Sequence, residues 1–151
     1  MKVVLDANIL LRLADKMSPQ HAVADAAVDL LVQRGDEPVL LNQSGFEFWV
    51  VATRPLTNNG LGLKPADADL WLDIFIARFP LIEDKPGLFA EWRKLVTAHA
   101  ISGKPAHDAR YVAGMNTYGI THILSFNVAD FARFPGITVL DPAAIAAAAT
   151  P

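Results

Sequence analysis

The chain has 151 residues, which suits one compact domain with a single hydrophobic core. The net charge of −3 excludes a surface that attracts nucleic acid over its whole extent. Cysteine is absent, so disulfide and thiolate chemistry are excluded and a reducing cytoplasm is favoured. Asp6 and Arg12 interrupt the apolar N-terminal stretch, and we expect neither a signal peptide nor a transmembrane helix.

Helices and strands are predicted to alternate along the chain. In chain order the first half is predicted to contain the strand Lys2–Leu5, the helix Asn8–Ala14, a helix with Ser18 as N-cap and Pro19 at its first position that ends at Gly35, the strand Pro38–Leu41, the helix Ser44–Thr53 and the loop Arg54–Gly62. The second half is predicted to contain the helix Pro65–Arg78, a very short strand Leu81–Ile82, the helix Pro86–Ala100, a break at Ser102–Pro105, the helix His107–Thr117 ending near Gly119, the strand Thr121–Leu124, an irregular segment Ser125–Pro135 with room for one turn, and the strand Ile137–Leu140. Residues 1–142 are expected to form one domain and residues 143–151 an alanine-rich tail with a frayed helix.

This alternation predicts a three-layer α/β/α sandwich with a parallel sheet of about four to five strands. In such sheets ligands bind beyond the carboxyl ends of the strands, where the strand order reverses. Asp6 directly follows the first strand, and Ser125 and Asn127 follow the strand Thr121–Leu124. If these strands are neighbours, we expect Asp6 and Asn127 to face each other across a crevice.

Each candidate acid has a structural explanation as well as a functional one. Ser44 and Glu47 have the spacing of a helix capping box, Asp108 suits the first turn of a helix, and Asp6 could cap the helix that follows it. The topology would nevertheless bring the three carboxylates to one edge of the sheet. Crowded carboxylates raise each other's pKa, and a hard divalent cation, Mg²⁺ or Mn²⁺, relieves that repulsion.

Three segments resemble the PIN-domain nucleases: VVLDANILL, SGFEFWVVATRP and HDARYVAGMNTYGITHILSFNVADFARFPGITVLDP. They are most similar to the toxin ribonucleases of VapBC-type toxin–antitoxin pairs, in the same order over essentially the whole chain. The resemblance implies that Asp6, Glu47 and Asp108 are the acids of the site and that Ser125 is its small hydroxyl residue. Asn127 falls on a fourth acidic position where many relatives carry Asp. As a catalytic residue it would coordinate a metal through its amide oxygen or hold a metal-bound water, but without a charge it implies a weaker hold on a second metal ion.

The family likeness implies hydrolysis of RNA phosphodiesters with Mg²⁺ or Mn²⁺ as cofactor. Asp6 and Asp108 would be metal ligands, directly or through water, and Glu47 would be a ligand or would orient the attacking water. Asn8 would steady Asp6 by hydrogen bonding, and Asp130 would fix the turn that follows the site.

Arg54, Arg110 and His107 are predicted near the site and are candidates for phosphate contacts, with solvated surface charge as the alternative for each. No phosphate-binding glycine loop and no GxSxG motif is present, which disfavours nucleotide binding and nucleophilic-serine hydrolysis.

The sequence leaves several functions open. The first is a cytoplasmic, homodimeric toxin ribonuclease that a small antitoxin inhibits by placing its tail in the acidic crevice. The second is an RNA-processing nuclease without an antitoxin, and the third is a catalytically silent binding module whose acids are helix caps. A phosphatase of the haloacid-dehalogenase type ranks last, because it normally needs a second Asp where this chain has Asn8.

Overall fold

The computed structural model describes residues 1–148, along which strands and helices alternate. The strands are β1 (Lys2–Leu5), β2 (Glu37–Leu41), β3 (Leu81–Ile82), β4 (His122–Leu124) and β5 (Thr138–Leu140). The helices are α1 (Ala7–Ala14), α2 (His21–Gln33), α3 (Asn42–Ala52), α4 (Pro65–Arg78), α5 (Leu88–Ala98), α6 (Ala106–Tyr118), α7 (Val128–Phe131) and α8 (Pro142–Ala147). A 3₁₀ turn at Leu56–Asn58 lies within the predicted loop.

The strands form one parallel sheet in the order β3-β2-β1-β4-β5. The chain builds outward from β1 through β2 to β3, and then continues on the other side of β1 with β4 and β5. The strand order therefore reverses between β1 and β4. The prediction of a three-layer α/β/α sandwich with a parallel sheet is confirmed.

The sheet separates two hydrophobic cores because alternate strand residues point to opposite faces. On one face Leu5 packs with Leu31, Phe48 and Phe75, which come from α2, α3 and α4. On the other face Val4 belongs to a cluster with side chains of α6 and α7: Tyr111, Val112, Met115 and Phe131. Each large apolar side chain buried in this way stabilises the fold by roughly 1.5–3 kcal/mol.

Gly114 allows α6 to lie close to the sheet. A Cβ atom at this position would be 3.0 Å from Cδ1 of Leu41, the last residue of β2. Helix α6 carries Asp108, and β2 leads directly into the helix that carries Glu47. Close packing at Gly114 therefore helps to set the distance between two of the predicted site residues.

The predicted start of the second helix is wrong. Helix α2 begins at His21, and the residues before it form a turn in which the Ser18 hydroxyl accepts from the backbone N–H of Gln20 at 3.2 Å. The α1 residue Arg12 holds the turn, because its side chain donates to Gln20 Oε1 at 2.7 Å and its carbonyl meets His21 Nδ1 at 2.8 Å. Contacts with α1 thus override the local Ser-Pro signal for a helix start.

The predicted capping box at the start of α3 is also wrong. Helix α3 begins at Asn42, directly after β2, so Glu47 lies in its second turn. The Ser44 hydroxyl instead donates to the carbonyl of Leu5 at 2.7 Å and accepts from the N–H of Leu41 at 3.3 Å. It joins the ends of β1 and β2, and Glu47 remains available for another role.

The alanine-rich tail forms a packed helix where the structure describes it. Asp141 caps α8 by accepting from the N–H of Ala143 at 2.9 Å, and Ile145 is only 7% exposed in the first core. The rest of the predicted tail, residues 149–151, lies outside the described residues. Within residues 1–148 no helix has both the length and the apolar character needed to cross a membrane.

Candidate active site

Asp6 and Ser125 meet at the point where the strand order reverses. Leu5 pairs with Leu124 in the β1–β4 ladder, and the N–H of Asp6 donates to the carbonyl of Leu124 at 3.1 Å. The Ser125 hydroxyl donates to Asp6 Oδ2 at 2.6 Å, and both residues are buried. The predicted adjacency of the first and fourth strands is confirmed, and it places a buried carboxylate at the carboxyl edge of the sheet.

Asn8 lies between these two side chains. Its Nδ2 donates to Asp6 Oδ2 and to Ser125 Oγ, each at 3.1 Å. Its Oδ1 accepts from the N–H of Phe126 at 3.3 Å, which ties the first turn of α1 to the segment after β4. Asp6 also caps α1, with its carboxylate 3.5 Å from the N–H of Asn8. Hydrogen bonds from Asn8 in α1 and from Ser125 after β4 therefore fix the orientation of the Asp6 carboxylate.

Asn127 is connected to Asp6 through the Ser125 hydroxyl. The residue that meets Asp6 across the strand ends is Ser125, whose hydroxyl also accepts from the backbone N–H of Asn127 at 3.0 Å. The side chain of Asn127 is exposed, at the start of the single-turn helix α7. Its backbone therefore supports Ser125.

The pKa of Asp6 is raised from 3.8 to about 6, mainly because the carboxylate is buried. The negative charge of Glu47 contributes to this shift, whereas the hydrogen bond from Ser125 favours the ionised form and opposes it. Asp6 is 7% exposed, and among residues 1–148 neither Asp6 nor Glu47 forms a salt bridge with a Lys or Arg side chain. The site holds a desolvated carboxylate with hydrogen-bond donors but without a protein cation.

Asp108, on α6, also has a raised pKa. It lies in the first turn of α6, and its pKa is raised from 3.8 to about 6, mainly by burial. The charges of Asp130, Asp6 and Glu47 contribute to this shift, while Arg133 opposes it. Asp130 was expected to fix a turn, yet its charge acts on Asp108 more strongly than those of the other two acids. The carboxyl edge of the sheet therefore concentrates four negative side chains within electrostatic reach of one another.

Tyr111 supports the site from the core that contains Val4 and Phe131, a role that the sequence did not predict. Its hydroxyl accepts from the N–H of Ala7 at 3.1 Å, directly after Asp6. Burial, and then the charges of Asp6 and Glu47, raise the pKa of Tyr111 well above 10. The tyrosine lies one helical turn after Asp108, and this spacing on α6 was the available signal.

Gln43 is a second residue that the sequence analysis missed. It is 4% exposed, and its side chain lies between α3 and α6. Its Nε2 donates to Glu47 Oε1 at 2.8 Å and to the carbonyl of His107 at 2.6 Å. A glutamine one helical turn before the candidate acid was the sequence signal, because residues four apart share a helix face.

The predicted phosphate contacts differ in their surroundings. Arg110 is half-buried, with its guanidinium donating to Asp84 Oδ2 at 2.7 Å and to Gln43 Oε1 at 3.1 Å. His107 is exposed beside Asp108, and Arg54 is half-buried two residues after the end of α3. Arg110 therefore already holds protein partners, whereas the His107 side chain faces solvent.

The donor set fits a hard divalent cation held partly by water. Within the described part of the chain, no group of three or more His, Asp or Glu side chains is arranged to hold a metal ion by itself. Mg²⁺ usually keeps several waters and binds proteins through one or two carboxylates. Asp6 and Asp108 are the two carboxylates that would hold such an ion, which would favour their ionised forms against burial and mutual repulsion.

The fold matches toxin–antitoxin proteins over nearly the whole chain. A chain of the VapBC2 complex from Rickettsia felis, bound to a promoter DNA fragment, aligns with a TM-score of 0.68 at 17% identity, covering 93% of this chain and 98% of that one. VapBC-1 from nontypeable Haemophilus influenzae aligns with a TM-score of 0.66 at 14% identity, covering 94% and 98%. VapC20 from Mycobacterium tuberculosis, a sarcin-ricin loop cleaving toxin, aligns with a TM-score of 0.62 at 14% identity, covering 89% and 98%.

The chain has a PIN-like fold. No protein-family model matches the sequence, and no curated protein matches it significantly, so the likeness lies in the architecture. In this PIN-like fold, Asp6, Glu47 and Asp108 come from three separate segments to one edge of the sheet. The negative charges of these acids act on one another at that edge.

Proposed function

We propose that this protein is a Mg²⁺- or Mn²⁺-dependent endoribonuclease and the toxin of a toxin–antitoxin pair that acts in the cytoplasm. The observation that carries the proposal is the buried Asp6 carboxylate, which forms no salt bridge within residues 1–148 and whose pKa is raised by burial and by the charge of Glu47. The same fold occurs in VapC toxins, one of which is described as a sarcin-ricin loop cleaving toxin. RNA cleavage by metal-dependent hydrolysis accounts for both findings.

Each site residue receives a separate role. Asp6 and Asp108 would hold the cation, which when bound would polarise a phosphodiester and increase the acidity of water. Glu47, half-buried on α3, would accept a hydrogen bond from the attacking water and orient it toward phosphorus. Asn8 and Ser125 keep the Asp6 carboxylate in one orientation through hydrogen bonds of 3.1 Å and 2.6 Å.

The substrate would be held by the positive and polar groups at the rim of the site. His107 is exposed next to Asp108 and would donate to a phosphate oxygen, and Arg54 would be a second contact. Arg110 would contribute only if its pairing with Asp84 opens. Asn127 brings an amide instead of a carboxylate to the rim, so one metal ion is expected to be held more tightly than a second.

The proposed partners are an antitoxin and a second copy of this chain. Several of the matched structures are described as toxin–antitoxin complexes, and an antitoxin with a positively charged tail would suit the acidic crevice. Helices α3 and α4 also expose large apolar side chains, each more than half exposed: Phe46, Val50, Leu70 and Ile74. Burial of these side chains between two copies would favour a homodimer.

The proposal is tested by incubating the purified protein with structured RNA at millimolar Mg²⁺ or Mn²⁺. We expect cleavage at few sites, products with a 5′-phosphate and a 3′-hydroxyl, and loss of activity with a chelator or with Asp6→Asn. The matched control is Asp25→Asn, which makes the same change on the exposed side of α2 and should cleave at the wild-type rate. Cleavage that survives both the chelator and Asp6→Asn would contradict the assignment.

Expression in cells separates the toxin from a processing nuclease. A free toxin should arrest growth, and co-expression of a small antitoxin encoded by a neighbouring reading frame should relieve the arrest. Growth that continues while the purified protein cleaves RNA would instead favour a processing nuclease without an antitoxin.

A catalytically silent binding module is the second candidate. One observation favours it: the acidic side chains of residues 1–148 do not form a group of three that could hold an ion by themselves. Calorimetric titration with Mn²⁺ distinguishes the two candidates. Binding that Asp6→Asn abolishes supports the nuclease, and no binding at millimolar Mn²⁺ supports the silent module.

A further inference from the structure

Gln43 is a buried polar side chain whose contacts all lead to the candidate site. It occupies the first turn of α3, directly after β2, and its amide makes three hydrogen bonds. One of these reaches Glu47 on the same helix, one reaches the carbonyl of His107 on α6, and one reaches Arg110. A buried amide with its hydrogen bonds satisfied is rigid, because releasing any of them leaves a desolvated polar group.

The chemistry of the three partners fixes which way the amide faces. The Arg110 guanidinium can only donate, so it must meet the carbonyl oxygen of the amide, and the Nη1–Oε1 distance is 3.1 Å. The Glu47 carboxylate and the His107 carbonyl accept, so both must meet Nε2, at 2.8 Å and 2.6 Å. If the amide were flipped, its NH₂ group would face the guanidinium donor and its oxygen would face the two oxygen acceptors. The observed orientation is therefore the only one that satisfies all three partners.

The same amide links the segments that carry two of the candidate acids. His107 immediately precedes Asp108 in the first turn of α6, and Glu47 lies one turn after Gln43 on α3. The Gln43 amide donates one hydrogen to Glu47 on α3 and the other to the His107 carbonyl on α6. Any change in the separation of α3 and α6 at this point would therefore break one of the two bonds.

We propose that Gln43 is a positioning residue that holds the Glu47 carboxylate in a fixed place relative to Asp108. The inference deepens the proposed function and rests on it, because it assigns a support to the residue that would orient the attacking water. Arg110 takes part by locking the amide, and its own partner Asp84 holds the guanidinium at 2.7 Å. Arg110 therefore has a role in positioning Glu47 in addition to its proposed contact with a substrate phosphate.

The first test is kinetic and uses Gln43→Met, which keeps the length of the side chain but removes its donors. We expect kcat for RNA cleavage to fall about 10- to 100-fold, since small displacements of a catalytic group cost that much, while KM stays within about twofold. The matched control is Gln33→Met at the exposed end of α2, which should leave kcat unchanged.

A double-mutant cycle separates positioning from a general loss of structure. If Gln43 acts through Glu47, the double variant Gln43→Met, Glu47→Gln should be no slower than Glu47→Gln alone. If Gln43 only stabilises the fold, the two losses should multiply. Multiplied losses, or a wild-type kcat for Gln43→Met, would overturn the proposal.

A spectroscopic test does not depend on cleavage. The chain contains Gln20, Gln33 and Gln43, so the side-chain amide signals of ¹⁵N-labelled protein are few and assignable by substitution. Glu47→Gln should shift the Gln43 amide signals and leave those of Gln33 in place. Unshifted Gln43 signals would refute the Gln43–Glu47 contact, whereas shifted signals in a protein that cleaves no RNA would refute only the proposed function.

Discussion

Acidic side chains lie near both edges of the sheet, but they are compensated in different ways. At the amino edge, Asp36 pairs with the N-terminal amine of Met1 at 3.0 Å, and Arg78 Nη2 pairs with Asp29 at 2.7 Å. At the carboxyl edge, Asp6 and Asp108 have pKa values raised to about 6 and receive mainly hydrogen bonds or the charges of other acids. The acids at the amino edge therefore have cationic partners in the chain, whereas Asp6 and Asp108 form no salt bridge within residues 1–148.

The largest expected effect is on RNA cleavage. Asp108→Asn should reduce the cleavage rate by about 1,000-fold or more, because a metal ligand supplies charge that an amide lacks. Asp29→Asn makes the same change at the amino edge and should keep the wild-type rate. The measurement is single-turnover cleavage of one RNA, and equal rates in the two variants would remove the functional distinction between the two edges.

The pH dependence of stability should also differ between the two edges. The Asp6 carboxyl titrates at 3.8 in the unfolded chain and at about 6 in the fold, so the folded state binds more protons between these values. The contribution of Asp6 to the free energy of unfolding therefore falls as the pH rises through this window. With chelator present, Asp6→Asn should gain stability relative to wild type between pH 4 and pH 7, by at most about 3 kcal/mol at about 1.4 kcal/mol per pKa unit.

Chemical denaturation at a series of pH values measures this gain. Asp29→Asn, followed in parallel, should not reproduce it. A constant difference between Asp6→Asn and wild type across the window would show that burial of Asp6 does not shift its titration.

Metal binding should stabilise the protein through the carboxyl edge alone. At a Mn²⁺ concentration of 100 times Kd, the free energy of unfolding should rise by about 2.7 kcal/mol at neutral pH. Asp6→Asn should abolish this gain, and Asp29→Asn should preserve it. Thermal unfolding with and without Mn²⁺ provides the measurement, and a gain that persists in Asp6→Asn would place the ion elsewhere.

The smallest effect is expected at the amino edge. Arg78→Met should cost at most about 1 kcal/mol, because its ion pairs with Asp25 and Asp29 are exposed and surface salt bridges contribute little. It should leave both Mn²⁺ binding and RNA cleavage unchanged. Denaturant unfolding together with a cleavage assay checks this, and a loss of cleavage would mean that the two edges are coupled.

The sequence predicted the elements whose signals are local. Helix α4 has the predicted bounds Pro65–Arg78, with Pro65 at its first position, and β3 has the predicted bounds Leu81–Ile82. Helix α6 ends at Tyr118 and is capped by Gly119, whose φ of +66° is easily adopted only by glycine. In these places the residues themselves set the backbone conformation, and distant contacts do not oppose it.

The helix starts at Ser18 and Ser44 were mispredicted for one physical reason. A serine hydroxyl can satisfy a helix N-terminus, but it can equally bond to backbone groups that only the fold brings near. Ser44 joins the ends of two strands, and contacts from Arg12 hold the turn around Ser18. The local pattern gives no means of choosing between these outcomes.

The candidate site divides in the same way. Asp6, Glu47 and Asp108 stand out in the sequence because a charged residue beside an apolar strand or at a helix start needs an explanation. Three other features depend on contacts between distant segments and could not be predicted from the sequence. Ser125 donates a hydrogen bond directly to Asp6, and the charge of Asp130 raises the pKa of Asp108. Gln43 links α3 to α6.

By itself the sequence determined the alternation of strands and helices, and hence the parallel sheet and the edge at which its acids lie, because hydrophobic period and turn residues act locally. Tertiary structure alone decided which acids lack a cation, since burial and neighbouring charge belong to the folded chain. It also decided that one buried glutamine bonds to two helices at once, because only packing fixes the distance between them.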